Sequence, residues 1–296
     1  MQAIRLERPR ELAAVDLPEP EAPAPGQALV RVHRVGLCGT DVHAYHGNNP
    51  WLTFPRILGH ELGVEVLATG DGVEHVAPGD RCSVEPFLST PGDRAHAIGK
   101  THCAATTTCL GVHEDGGMRE RFLLPAANLH PANALDYDQL ALVEPLTIGY
   151  HAVQRANLRG DESIAVIGLG PIGLAVVQSL LRTTNAIVAM DVTAARTERA
   201  ASLYPQVQSL TVDPDRPLTG QWPDDRLPDL VFDATGNPAS MEEAFTLPAH
   251  AGSVLLVGFW NGALTFDNPS FHRRELSILA TRNATASDFR AVLDML

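Results

Sequence analysis

The chain is poor in cysteine and poor in positive charge, and it has no long apolar run. Only four cysteines occur, at 38, 82, 103 and 109, and none forms a CxxC pair. That excludes a disulfide framework; each cysteine is either a packed small hydrophobe or chemically employed. Lys and Arg total 22 against 35 Asp and Glu, a net charge of −13. An acidic chain argues against nucleic acid or an anionic membrane surface as the partner. No apolar stretch reaches the ~18 residues that span a bilayer. The start, MQAIRLERPRELAAVDLPEP, has no apolar core behind a basic tip, so it does not read as a signal peptide. A cytoplasmic location is the expectation.

What is present is globular. Hydrophobic residues make up 45% of the 296 positions and charged residues 19%, which excludes disorder along the whole chain. The length suggests two domains. The first half reads as short strands, 28–35, 63–70 and 118–124, between Gly/Pro turns such as PAPG, TGDG and APGD. This predicts an all-β, barrel-like domain over 1–150. Residues 147–156 read as a helix. Beyond it, strands at 163–168, 186–191, 209–212, 229–235, 252–258 and 276–282 alternate with helices at 172–183, 194–203, 239–246 and 286–296. Such alternation predicts a doubly wound parallel α/β sheet, a Rossmann domain, over 151–296.

The first strand of that half runs into Gly168-Leu-Gly170-Pro171-Ile172-Gly173 at a helix start. Gly168 suits a tight turn, Gly170 lets backbone approach a pyrophosphate, and Gly173 lets helix pack on strand. Asp191 ends the next strand, where a carboxylate can bind a ribose 2′-hydroxyl. It would repel a 2′-phosphate, so NAD is expected over NADP. Arg196 is a secondary candidate on the cofactor, or faces solvent.

The first half also holds Gly36-Leu-Cys38-Gly-Thr40-Asp41-Val-His43, then Gly59-His60-Glu61, and later Val143-Glu144-Pro145. Each alone means little. Together they supply a thiolate, an imidazole and carboxylates, a set that suits Zn²⁺.

With GLCGTDVH, GHE, LGVHEDGGM, VEPLTIGYHAV, GLGPIG and DATGNP in place, the chain resembles the zinc-dependent medium-chain alcohol and polyol dehydrogenases over essentially its whole length. HAYHGNNPWLTFPRILGHE and NPSFHRRELSILATRNATASDF resemble the sugar-acid branch, such as L-galactonate oxidoreductases. The resemblance implies a GroES-like catalytic domain followed by the NAD domain, a homo-oligomer, and one catalytic zinc. It places Cys38 and His60 as zinc ligands, and Glu61 and Glu144 as carboxylates that bind the metal directly, through water or from behind. It places Thr40 beside the reacting alcohol and His43 on a proton relay, a task imidazole suits. The substrate it implies is a small polyol or sugar acid. A simple alcohol or amino-alcohol is the alternative substrate, and a shortened, non-catalytic NAD-binding remnant the alternative class.

Two departures matter. Many of the resembled proteins carry a second zinc in a CxxCxxCx₇C lobe; the matching positions here are Thr90, Asp93, His96 and Ala104, with Cys103 one residue early. A closed zinc site is not built from Thr and Ala; a remnant from Asp93, His96, His102 and Cys103 is the weaker option. The resembled chains also run longer. This one is expected to stop inside the last dinucleotide-domain helix, leaving the catalytic domain without a closing segment. For a sugar-acid carboxylate, Arg56 and Arg282 are candidate cations; His46, Asn48 and Asn49 either bind hydroxyls or form a polar turn.

Overall fold

A computed structural model describes residues 1–184 and 186–296. Two compact units emerge: Met1–Thr147 with Asn283–Leu296, and Ile148–Arg282.

The first unit is built on a five-stranded antiparallel sheet in the order Leu129–Pro131, Arg81–Val84, Glu61–Thr69, Gln27–Gly36, Arg121–Pro125. Its inner face buries Val30, Leu62, Val64, Val66, Cys82 and Phe122. Smaller sheets flank it: Glu11–Asp16, Gln2–Arg8 and Arg56–Ile57, and the pair Phe87–Leu88 with Thr108–Cys109. The hairpin over 2–16 lay outside the expected strands, because its charged, half-exposed residues carry little apolar alternation. Gly63 sits where a Cβ would stand 2.3 Å from the Tyr137 carbonyl oxygen. The sheet can therefore lie directly on the start of the helix Tyr137–Ala156.

That helix begins well before the expected position 147. Pro145 lies inside it and, lacking an N–H, reads in sequence as a boundary. The correction matters, because it places Glu144 on a helix rather than in a loop.

The second unit is a six-stranded parallel sheet ordered Gln208–Thr211, Ile187–Asp191, Ile164–Ile167, Leu230–Asp233, Ser253–Leu256, Ser277–Ala280. This is the doubly wound order 3-2-1-4-5-6. Successive residues feed opposite cores: Ile164, Val166 and Phe232 on one face, Ala165, Ile167 and Val231 on the other.

The C-terminal expectation is corrected. The helix Ala286–Leu293 belongs to the first unit, not to the dinucleotide unit. Its Phe289 is fully buried and stacks on the His130 ring at 4.9 Å and 13°. Its amphipathic face turns Phe289 and Val292 inward, and the first unit supplies the His130 ring against it. The first unit thus holds a returning segment where none was expected. Among the described residues no helix is long and apolar enough to cross a membrane.

Candidate active site

Three turns of chain assemble a cluster in the first unit. Cys38 is the N-cap of the helix Gly39–His46, in extended conformation. That helix was not expected, since Gly39 and Thr40 at its start have low helix propensity. It forms because Asp41 reaches back to the Cys38 backbone N–H at 3.0 Å, satisfying a donor the first turn leaves open. His60 follows Gly59, whose φ of +93° would strain any other residue. Glu61 opens the strand Glu61–Thr69.

Glycines make the space. A Cβ on Gly36 would stand 2.0 Å from Glu61 Oε2, one on Gly116 2.3 Å from the Gly59 carbonyl oxygen, and one on Gly111 2.8 Å from the Gly59 N. The EDGGM segment thereby hydrogen-bonds along 57–59: Gly116, Gly117 and Met118 donate to the carbonyls of Ile57, Gly59 and Leu58 at 2.7, 2.8 and 3.0 Å.

Cys38 Sγ, a ring nitrogen of His60 and a Glu61 carboxylate oxygen all lie within 4.8 Å of one another, and no other such group of three occurs among the described residues. His60 and Glu61 are buried, and His60 Nδ1 has no hydrogen-bond partner; Asp41 Oδ1 stands 3.9 Å away. Burial pushes the Cys38 thiol and the Glu61 carboxyl up from their ordinary values. Glu144 is buried in the same field of His60, Cys38, Glu61 and Asp41, and burial pushes it up to about 8. It lies outside the 4.8 Å group. Three anion-forming groups desolvated around one imidazole with an orphaned nitrogen are unfavourable for a bare pocket. A divalent cation that takes S, N and O ligands removes that cost. The donor set therefore fits zinc.

Thr40 lies beside the thiol, with Cys38 Sγ donating to Thr40 Oγ1 at 3.5 Å. His43 is exposed on the same helix, one turn along. Asp41, quoted in the motif but given no role from sequence, links Cys38 to Gly59: its Oδ1 accepts the Gly59 N–H at 3.3 Å. Asp115 plays a similar part, accepting the Ile57 N–H at 3.0 Å.

The substrate-cation candidates separate. Arg56 is largely buried, held by Thr53 Oγ1 at 3.0 Å and Asp115 at 3.5 Å. Arg282 is exposed. Asn49 accepts the Trp51 N–H at 3.1 Å, which is the polar-turn reading for that residue.

In the second unit, Gly168 has φ +90° and Gly173 would place a Cβ 1.7 Å from the Gly168 carbonyl oxygen, while a Cβ on Gly170 meets nothing within 4 Å. The first and third glycines are required by packing, and the second faces open space, as a pyrophosphate cradle requires. Pro171 and Ile172 begin the helix Pro171–Leu180, with Gly170 as its N-cap and Pro171 in the first turn. Asp191 ends its strand with both oxygens engaged: Leu169 N–H at 2.7 Å and Thr193 N–H at 2.8 Å. Arg196 pairs with it at 3.4 Å and is half exposed. These residues fit a dinucleotide.

Residues 24–134 match the alcohol dehydrogenase GroES-like domain, and 171–296 the zinc-binding dehydrogenase domain. L-galactonate-5-dehydrogenase of Escherichia coli K12 is 36% identical over 99% of this chain and 86% of that protein. 2-dehydro-3-deoxy-L-galactonate 5-dehydrogenase of Pseudoalteromonas atlantica is 29% identical over 93% of this chain and 81% of its own. Among solved structures, the rspB short chain alcohol dehydrogenase of E. coli CFT073, complexed with NADH, superposes with a TM-score of 0.89 at 31% identity. It covers 99% of this chain and 86% of that one. With both domain matches and a relative of this identity and coverage, the chain belongs to the zinc-dependent medium-chain alcohol and polyol dehydrogenase family and is an oxidoreductase.

Proposed function

We propose that the protein exchanges a hydride between NAD and a secondary alcohol of a sugar acid or polyol, L-galactonate being the type of substrate. The carrying observation is the Cys38–His60–Glu61 cluster, whose ligand atoms lie within 4.8 Å of one another. Two relatives named for galactonate-type substrates support the substrate class.

Cys38 and His60 would hold the zinc, with Glu61 or Glu144 completing its shell. Bound zinc supplies a Lewis acid that makes an alcohol proton easier to remove, and NAD supplies the hydride acceptor. The protein's own residues do the rest. Thr40 presents a hydroxyl beside the thiol and would take the alcohol proton as it releases its own toward His43. His43, exposed one turn along, passes that proton outward. Gly168, Gly170 and Gly173 open the backbone to the cofactor pyrophosphate, Pro171 and Ile172 begin the helix that faces it, and Asp191 takes the adenosine ribose. Arg196 neutralises part of the Asp191 charge at the rim.

The test is an oxidation screen of sugar acids and polyols with NAD and NADP, on protein of measured zinc content. Turnover of a galactonate-type acid with NAD supports the reading. Turnover confined to simple alcohols overturns the substrate class, and no turnover by zinc-loaded protein overturns the activity.

A further inference from the structure

The DATGNP segment contains a carboxylate that the chemistry above does not use. Asp233 ends the strand Leu230–Asp233 and is wholly buried. Its Oδ1 accepts the Thr235 N–H at 2.9 Å and the Thr235 hydroxyl at 2.7 Å. Its Oδ2 accepts the Ser240 hydroxyl at 2.8 Å. Burial pushes the carboxyl up, while these donors pull it back. A buried carboxylate with hydroxyl and amide partners is costly unless the geometry it enforces is needed.

That geometry lies between two loops. On one side, a Cβ on Gly168 would stand 2.8 Å from Thr235 Cγ2 and 3.1 Å from the Thr235 N. On the other, Gly236, at φ +62°, would put a Cβ 2.9 Å from the Phe259 carbonyl oxygen, and a Cβ on Gly258 would stand 2.3 Å from the Gly236 N. The Asp233 carbonyl accepts Val257 and Gly258 N–H groups at 2.8 and 2.9 Å, and the Ala234 N–H donates to Ile167 at 2.8 Å. The 234–236 loop is thus wedged between the glycine turn and the loop after Ser253–Leu256. The Asp233 carboxylate folds Thr235 back, and the Thr235 methyl packs against Gly168.

We infer that Asp233 is a positioning residue of the dinucleotide site: through Thr235 it sets the placement of the Gly168 turn against which a pyrophosphate binds. The inference rests on the reading of 168–173 as that site. Asp233 acts through Thr235, and its removal lets the turn relax into the space that the Thr235 methyl occupies.

The experiment measures NADH affinity directly, from the fluorescence of bound NADH, beside the melting temperature. Asp233→Asn keeps the shape but cannot accept from all three donors; it should weaken NADH at least about tenfold, the loss of one charge-assisted bond's worth of order. KM for NAD should rise, while zinc content and KM for the alcohol stay at the wild-type level. Thr235→Val, which keeps a methyl but removes the hydroxyl donor, should weaken NADH in the same direction, and so should Thr235→Ser, which keeps the bond to Asp233 but loses the methyl against Gly168. If Asp233→Asn does not fold, Thr235→Val decides. Folded variants that bind NADH within about twofold of wild type, whatever their melting temperature, overturn the inference and leave Asp233 a structural residue. Wild-type protein that binds no NADH overturns the dinucleotide reading itself, a distinguishable result.

Discussion

Asp41 accepts the backbone N–H of Gly59 at 3.3 Å while its other oxygen accepts that of Cys38 at 3.0 Å. One buried carboxylate therefore spans the two chain segments that deliver the thiol and the imidazole. It fixes the start of one helix and the left-handed turn before His60 together, and it also lies 3.9 Å from His60 Nδ1. Groups that orient ligands without binding the metal typically carry about 10–100-fold of metal affinity. Asp41→Ala should weaken zinc by that order, measured by competition with a chelator of known affinity, and leave the melting temperature of the second unit unchanged. An unchanged zinc affinity would show that Cys38 and His60 are placed by packing alone.

The thiol and the relay are separable. Cys38→Ser replaces a soft thiolate with a poor neutral ligand, so zinc and alcohol oxidation should both be lost. His43→Ala removes an exposed imidazole that makes no part of the 4.8 Å cluster. It should keep its zinc and slow turnover by about 10²-fold, the low end for acid–base groups because water can substitute. The deficit should grow at low pH, where bulk base is scarce. A His43→Ala protein without zinc, or an active Cys38→Ser protein, would reverse the two assignments.

Asp191 uses both oxygens on the backbone of Leu169 and Thr193, so it presents charge at the turn in a fixed direction. A 2′-phosphate brought to it meets a carboxylate that is not free to rotate away. Asp191→Ala should lower the NAD-to-NADP ratio of kcat/KM by about tenfold or more. Arg196→Ala should change it less, since the guanidinium is half exposed and 3.4 Å from Asp191. Equal ratios in wild type and Asp191→Ala would remove the carboxylate as the selector.

Cys82 gives a pH signature away from the site. It is fully buried in the core under the five-stranded sheet, and burial pushes its thiol up from 9.0 to about 12. Because the folded value is raised, the stability it contributes is fully present below pH 9 and is lost as pH rises toward 12. Ionising it in the fold costs roughly 4 kcal/mol at most. Chemical denaturation of wild type should therefore weaken steeply between about pH 9 and 11, and Cys82→Ala should show a lower but flatter profile over that window. Parallel slopes would place the alkaline loss on other groups.

Most of the second unit was legible because its central strands, Ile164–Ile167, Ile187–Asp191 and Leu230–Asp233, are short, fully buried apolar runs set between helices. Asp191 and the three glycines stand where their spacing put them. The first unit was less legible. Pro145 hid the helix that carries Glu144, and the Gly39-Thr40 opening hid the helix that carries His43. Both helices depend on contacts that no local propensity records, Asp41 on the Cys38 N–H and the Tyr137 carbonyl seated on Gly63. The C-terminal helix was assigned to the wrong unit because amphipathicity states that a face is buried but not against what; here the partner is His130, far back in the chain. The cluster itself was readable as residue types, but Asp41, Asp115 and Asp233 were not. Their work is to hold backbone N–H and hydroxyl groups, and an acidic residue in a turn carries no mark of that in sequence.

Asp93 raises the question of what closes the 87–109 lobe. It caps the helix Arg94–Ala97 by accepting the His96 N–H at 2.8 Å, and its other oxygen accepts the Ala105 N–H at 2.6 Å. Thr106 and Thr90 exchange bonds at 2.8 and 3.2 Å, and the Thr107 hydroxyl donates to the Thr101 carbonyl at 2.8 Å. One carboxylate thus bridges both ends of the lobe, at one of the four positions where the resembled lobe pattern has cysteine. Its backbone donors hold the carboxyl below the usual carboxylate range. The folded value being depressed, the contribution is present at neutral pH and lost as pH falls through that value. Elemental analysis should give one zinc per wild-type chain, and Asp93→Ala should retain it. Amide protection factors across 93–107 should fall by about tenfold or more in Asp93→Ala, and those of wild type should fall in the same segment as acid titrates the Asp93 carboxyl. Two tightly held zinc equivalents, one of them lost in Asp93→Ala, would show instead that Asp93 is a ligand and that the lobe is closed by metal.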